Sequence, residues 1–187
     1  MKKNLLVIAS PSGGGKSTIA KHVLNKYPNV KFSISATTRQ MRPGETQGKE
    51  YYFLTKDEFN QKIQNDELLE YEEIFGNIYG TLKSEVIRLT SQNLVPLFDV
   101  DVKGAMNIKN IYPENTLLLF IEPPSQKVAE ERLRNRKSET EEQIQTRIKR
   151  YQLEISMKDE FDFCVVNDDL KNAISEVEII IEREIAL

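Results

Sequence analysis

The residues richest in chemistry lie in one stretch, Ala9-Ser-Pro-Ser-Gly-Gly-Gly-Lys-Ser-Thr18. Consecutive glycines let a backbone turn tightly with its N–H groups inward, and a helix that starts directly afterwards aims its positive end at the same point. That arrangement suits phosphate. Ser10, Pro11, Ser12, Gly13, Gly14 and Gly15 would wrap the phosphates of a nucleoside triphosphate, and Lys16 would reach the β and γ phosphates. Ser17 and Thr18 open the helix, with the Ser17 hydroxyl placed for magnesium. The full pattern has glycine where this chain has Ser10, so one anchor is missing; a Gly/Ser turn between strand and helix is the competing reading.

Three further groups carry charge where chemistry could use it. Ser35-Ala-Thr-Thr-Arg-Gln-Met-Arg42 sets Arg39 and Arg42 close together beside hydroxyls; guanidinium forks match a doubly charged phosphate, although a solvated basic loop would look the same. Asp99 and Asp101 end an apolar run, as when a strand delivers carboxylates to the carboxyl edge of a parallel sheet, and Asp99 is the candidate for holding magnesium's water shell. From 132 to 150 the bases Arg132, Arg134, Arg136, Lys137, Arg147, Lys149 and Arg150 outnumber the acids Glu139, Glu141 and Glu142. A compact anion is the partner this implies, because a net charge of -3 argues against a general nucleic-acid surface.

The inventory also excludes chemistry. One histidine, His22, and one cysteine, Cys164, cannot build a metal cluster, a Ser-His-Asp array or a disulfide. His22 reads as a solvent-facing helical residue and Cys164 as a small buried strand residue. No apolar run approaches the ~20 residues of a membrane span. The opening Met-Lys-Lys-Asn has too short an apolar sequel for a signal peptide, so a cytoplasmic address is expected.

The elements that must position these groups follow from periodicity. Leu5–Ala9 reads as a strand and Thr18–Tyr27 as a helix. Lys31–Ser35 and Gly48–Leu54 read as strands, and Thr55-Lys-Asp-Glu58 as the capping box of a helix. Residues 69–79 form a hairpin about Gly76-Asn77, and a helix runs from Lys83 to about Gln92. The run Leu94–Asp101 is a strand whose Pro96 signals an edge or an irregular start. Thr116–Ile121 is a buried strand. Lys127–Arg136 and a second helix capped from Ser138 form a charged hairpin that reads as a lid, with an ordinary exposed hairpin as the plain alternative. Phe163–Val166 is a last strand, and the stripe from Leu170 to Ile185 is a closing amphipathic helix.

Taken in order, Ser-Pro-Ser-Gly-Gly-Gly-Lys-Ser-Thr, Ser-Ile-Ser-Ala-Thr-Thr-Arg-Gln-Met-Arg-Pro-Gly-Glu, Gly-Lys-Glu-Tyr-Tyr-Phe, Gly-Asn-Ile-Tyr-Gly-Thr, Arg-Leu-Arg-Asn-Arg and Val-Asn-Asp-Asp-Leu resemble guanylate kinase over essentially all 187 residues. The resemblance implies an α/β fold: a P-loop NTPase-like parallel sheet core flanked by helices (1–32, 95–125, 158–187), a mixed α/β GMP-binding insertion (33–94) and a helical lid (126–157). It implies ATP as donor, Mg2+ as cofactor, GMP and its deoxy counterpart as acceptors, and a place in purine nucleotide metabolism and GMP recycling. Neither monomer nor homo-oligomer is preferred.

Residue by residue, the resemblance puts Ser35, Arg39, Arg42, Tyr51 and Tyr79 on GMP, chiefly its phosphate, and Glu70 and Thr81 on guanine. Asp99 and Asp101 match a pair near magnesium and the GMP ribose or base. Arg132, Arg136 and Arg147 match ATP-facing arginines, and Asn167 falls where adenine is held. Ser10 for glycine and Met41 for proline are the departures. A guanylate-kinase-like interaction module without catalysis is the rival from another class; Lys16, Ser17 and the arginines speak against it.

Overall fold

The computed structural model describes residues 2–74, 76–135 and 140–187. Its centre is a five-stranded sheet built from β1 (Leu5–Ala9), β2 (Val30–Phe32), β7 (Val95–Asp99), β8 (Thr116–Glu122) and β9 (Phe163–Val166), in the order β2-β7-β1-β8-β9. Every pairing in it is parallel. Parallel strands are covered on both faces, so the central ones read as continuous apolar runs: all of β1 is buried.

Alternation then divides the core. Leu6 and Ile8 pack with Ile19 and Val23 of α1 (Lys16–Lys26) and with Val177 and Ile181 of α7 (Leu170–Glu184). Leu5, Val7 and Ala9 face the opposite layer, with Val102, Ala105 and Ile108 of α4 (Val102–Ile111). The chain leaves β1 toward one side of the sheet and later fills the other. Its carboxyl end is therefore a topological switch point, where ligands bind in open α/β sheets.

A second sheet, in the order β4-β3-β6-β5, comprises β3 (Ala36–Thr37), β4 (Tyr52–Phe53), β5 (Leu68–Ile74) and β6 (Asn77–Leu82). It packs Ala36, Leu68 and Leu82 around Phe59 of α2 (Lys56–Gln64). Thr55 and Glu58 form the expected capping box of α2. The helix α3 (Lys83–Thr90) returns the chain to the core. Buried Glu85 on α3 ties the two sheets together, accepting from the Ile34 N–H, the Tyr52 hydroxyl and Arg88. Burial works against its charge, yet those donors hold its pKa below the usual carboxylate value.

The last layer is α5 (Gln126–Asn135) and α6 (Glu141–Ser156), which bury Ala129, Leu133, Ile144 and Tyr151. The cap of α6 is Thr140, whose box partner is Gln143; the Ser138 start and Arg136 lie outside the described residues. Among the described residues no helix is long and apolar enough to cross a membrane.

Several expectations need correction. The run Lys31–Ser35 does not continue as one strand: β2 stops at Phe32, and after the Ser33 N–H reaches the Leu97 carbonyl the chain crosses to the second sheet at Ala36. Gly48–Leu54 contracts to β4 because Gly48 takes a left-handed turn and the Gln47 side chain brackets Phe53. Pro96 is on an interior strand. Pairing with β1 begins only at Leu97, so the missing N–H falls before that ladder. Cys164 is exposed, because β9 is the edge strand and the residues it turns toward the α1/α7 core are the alternate ones, Phe163 and Val165. His22 is partly buried and hydrogen-bonded to Glu178 at 2.7 Å.

Candidate active site

The glycine loop follows from its close approaches. At Gly13 a Cβ would run into the backbone of Ala129 on α5, and at Gly15 into the Asn167 amide; both take positive φ, 87° and 93°. Only glycine satisfies both demands. Gly14 lies against the Ser10 hydroxyl, which is buried and donates to the Pro11 carbonyl at 2.9 Å. Ser10 itself keeps negative φ, so the departure from glycine is unstrained. Ser10→Gly is expected to leave kcat within about threefold and to lower stability by about 1 kcal/mol, the worth of one hydrogen bond. A thermal melt and steady-state kinetics check this, and a kcat loss above tenfold would contradict it.

Lys16 opens α1 and turns back over the loop, its Nζ 2.5 Å from Asp99 Oδ1 and 3.0 Å from the Val100 carbonyl. The Ser17 hydroxyl beside it is exposed. A cleft of about 290 Å³ opens next to the loop, lined by Gly15, Thr18, Arg132, Asp168 and Leu170 among others. Arg132 Nη2 donates to the Asn167 carbonyl at 2.9 Å, while its buried Nη1 has no partner among the described residues. The Asn167 amide donates to the Gly14 carbonyl at 2.8 Å, so this residue holds the loop as well as lining the cleft. Arg147 reaches Ser12 Oγ at 3.3 Å.

The second sheet assembles the other half. Pairing of β3 with β6 sets Thr37 opposite Tyr79 and Ala36 opposite Gly80, while Glu70 pairs with Thr81 across β5 and β6. Arg39 stacks 5.4 Å from the Tyr51 ring, and Tyr51 meets Tyr79 edge-on at 5.9 Å. Glu45, which sequence reasoning did not single out, shapes this loop: it accepts from Arg39 at 2.6 Å and from the Arg42 N–H at 2.7 Å. The Arg42 side chain is exposed. The hydroxyls of Thr37 and Thr38 accept the Arg39 and Ile78 N–H groups, so both brace the loop. Ser35 sits at the crossing just before β3, its carbonyl bonded to the Tyr52 N–H.

Glu70 accepts from the Thr81 hydroxyl at 2.5 Å. Burial pushes its pKa from the ordinary 4.5 to about 7. Gly104 on α4 makes the space: a Cβ there would lie 3.3 Å from Glu70 Oε2 and 3.4 Å from Asp101 Oδ1. Asp101 caps α4 through the Gly104 N–H at 2.8 Å. Sequence reasoning missed Gly104 and also Arg150, whose Nη2 lies 2.9 Å from Asp101 and 3.1 Å from Glu72. Its spacing of three from Arg147 on one helix was the available signal.

Lys16, Arg132 and Arg147 thus gather at the glycine loop, while Arg39, Tyr51 and Tyr79 cluster at the second sheet, which also carries the desolvated Glu70 carboxylate. A family model described as guanylate kinase matches residues 2–184. The guanylate kinase of Chlorobium luteolum is 47% identical over 173 residues, 92% of this chain and 88% of that protein. That of Salinibacter ruber is 46% identical, covering 93% of both. A crystal structure of guanylate kinase from Anaplasma phagocytophilum superposes with a TM-score of 0.76 at 31% identity, covering 100% of this chain and 88% of that one. With the family model, these relatives and the shared fold, the chain belongs to the guanylate kinase family, nucleoside monophosphate kinases that transfer phosphate from ATP to GMP.

Proposed function

We propose that transfer proceeds in line, magnesium-assisted and without a general base, between ATP seated on the glycine loop and GMP seated on the second sheet. The observation that carries the reading is the desolvated Glu70 carboxylate, held by the Thr81 hydroxyl on the sheet whose other strands present the Arg39, Tyr51 and Tyr79 cluster. A carboxylate accepts from both guanine N1–H and the 2-amino group, whereas adenine has no such donor pair. Thr81 orients that carboxylate. Ser35, Arg39, Arg42, Tyr51 and Tyr79 hold the GMP phosphate, and Asp101 serves its ribose or base.

On the donor side, Lys16 and the loop amides of residues 10–18 bind the triphosphate, Arg132 and Arg147 face its outer phosphates with Arg136, and Asn167 borders the adenine. The exposed Ser17 hydroxyl, and Asp99 through water, fit a magnesium ion that arrives with ATP and takes most of its ligands from phosphate and water. That ion would neutralise charge across the β and γ phosphates. Among the described residues there is no cluster of three or more His, Cys, Asp or Glu for a metal bound by protein alone.

The acceptor phosphate is already a dianion above its second pKa of about 6, so no proton has to be removed for attack. The protein's task is to bring two anions together, with positive charge and without water. The reading extends to the three-part division at 33–94 and 126–157, to dGMP as a second acceptor, and to a cytoplasmic role in purine nucleotide metabolism and GMP recycling. With both substrates saturating, kcat is expected to stay flat between about pH 7 and 9. Steady-state rates across that range test this, and an ascending limb near pH 8 would reveal a base and contradict it.

A further inference from the structure

The helix α6 touches both nucleotide sites from a single face. Arg147 reaches Ser12 in the glycine loop, and Arg150, one turn further on, reaches Asp101 at the start of α4 and Glu72 on β5. Its Nε also lies 3.8 Å from Glu154 on its own helix. One guanidinium therefore joins the α5–α6 layer, the core and the second sheet. It is the cation at the meeting of three carboxylates, and burial together with Asp101 raises the pKa of Glu72 against the opposing pull of Arg150.

We propose that Arg150 is a positioning residue that couples the two substrate sites, so that GMP on the second sheet sets α6, and with it Arg147, over the phosphates of ATP. The inference rests on the assignment of GMP to the Glu70 site. Asp101 spends Oδ1 on the Gly104 N–H and offers Oδ2 to Arg150. An oxygen of this kind can accept a second donor, so a ribose or base donor on Oδ2 adds to the bridge instead of displacing it. Closing the site around GMP also removes water from the Arg150 pairs, which strengthens them. Because α6 is continuous from Glu141 to Ser156, what fixes residue 150 also fixes residue 147. Coupling of this kind is reciprocal: each nucleotide must tighten the other by one common factor.

Titration calorimetry tests this with GMP and an ATP analogue bridged by a β,γ-imido group, each measured alone and with the other saturating. The wild type is expected to show roughly tenfold mutual tightening, within the usual span of site–site coupling. Arg150→Gln should reduce the factor to about twofold or less, while the affinity for the analogue alone changes little. Glu72→Gln removes one arm of the bridge and should reduce the factor as well, which keeps the test intact if Arg150→Gln folds poorly. Arg150→Lys, retaining charge without the fork, should fall between. Unchanged coupling in the folded variants would overturn the inference, as would GMP affinity in the wild type that ignores the analogue. A wild type that binds no GMP would instead refute the substrate assignment beneath it.

Discussion

Replacing Lys16 with methionine is expected to lower kcat by about three orders of magnitude while the protein stays folded. The magnitude is that of removing one preorganised charge from a phosphoryl-transfer site. Methionine nearly preserves length, so the loss would report the ammonium and not a hole in the packing. In the protein without nucleotide, Asp99 and the Val100 carbonyl hold that ammonium over the loop. The two side chains are 20% and 27% exposed, so water still reaches Asp99 and can solvate it once the ammonium is gone, which keeps the cost to stability below that of breaking a fully buried pair. Single-turnover rates with ATP and GMP, alongside a thermal melt, check the expectation. Retention of more than a tenth of the wild-type rate would remove Lys16 from the transfer step.

The second large effect belongs to Glu70→Gln, which should cut kcat/KM for GMP by about 10² to 10³. An amide can accept one guanine donor but points its own N–H2 at the other, and a site built for paired donors discriminates by at least this much. The same change should stabilise the protein without ligand. Glu70 has a folded pKa of about 7 against an ordinary 4.5, so its neutral form is the one the fold prefers. That contribution is complete below about pH 4.5 and is lost as pH rises through 7. The difference amounts to at most about 3 kcal/mol.

Glu70→Gln should therefore melt above the wild type at pH 8 and level with it near pH 4. Affinity for GMP, which needs the ionised carboxylate, should weaken in the wild type as pH falls below 7. A variant both less active and less stable at pH 8 would mean that Glu70 is a structural residue. A desolvated group that costs stability and serves binding is what a functional site leads one to expect.

The parts legible in the sequence are those determined by neighbours along the chain. The strand, loop and helix from Leu5 to Lys26 declare themselves by local pattern, as do the Thr55 cap and the hairpin of β5 and β6. What escaped depends on residues far apart. The Arg150 bridge spans 49 residues to Asp101 and 78 to Glu72, and Glu85 takes donors from as far away as 34 and 52. No periodicity encodes such pairings. Cys164 was misjudged for a related reason, and Pro96 left an edge and an irregular start both open: whether a strand lies at an edge is decided by the order of strands, which local residues do not state. Gly104 was invisible because its meaning lies in the approach of Glu70 and Asp101.

The most direct test of a guanine acceptor phosphorylated from a loop-bound ATP is ADP release measured with GMP, AMP, UMP and dTMP under identical conditions. The site built on Glu70, Thr81 and Arg39 predicts turnover with GMP exceeding that with AMP by at least a thousandfold in kcat/KM, as expected where a buried acceptor would be left unpaired. Equal or greater turnover with AMP would contradict it.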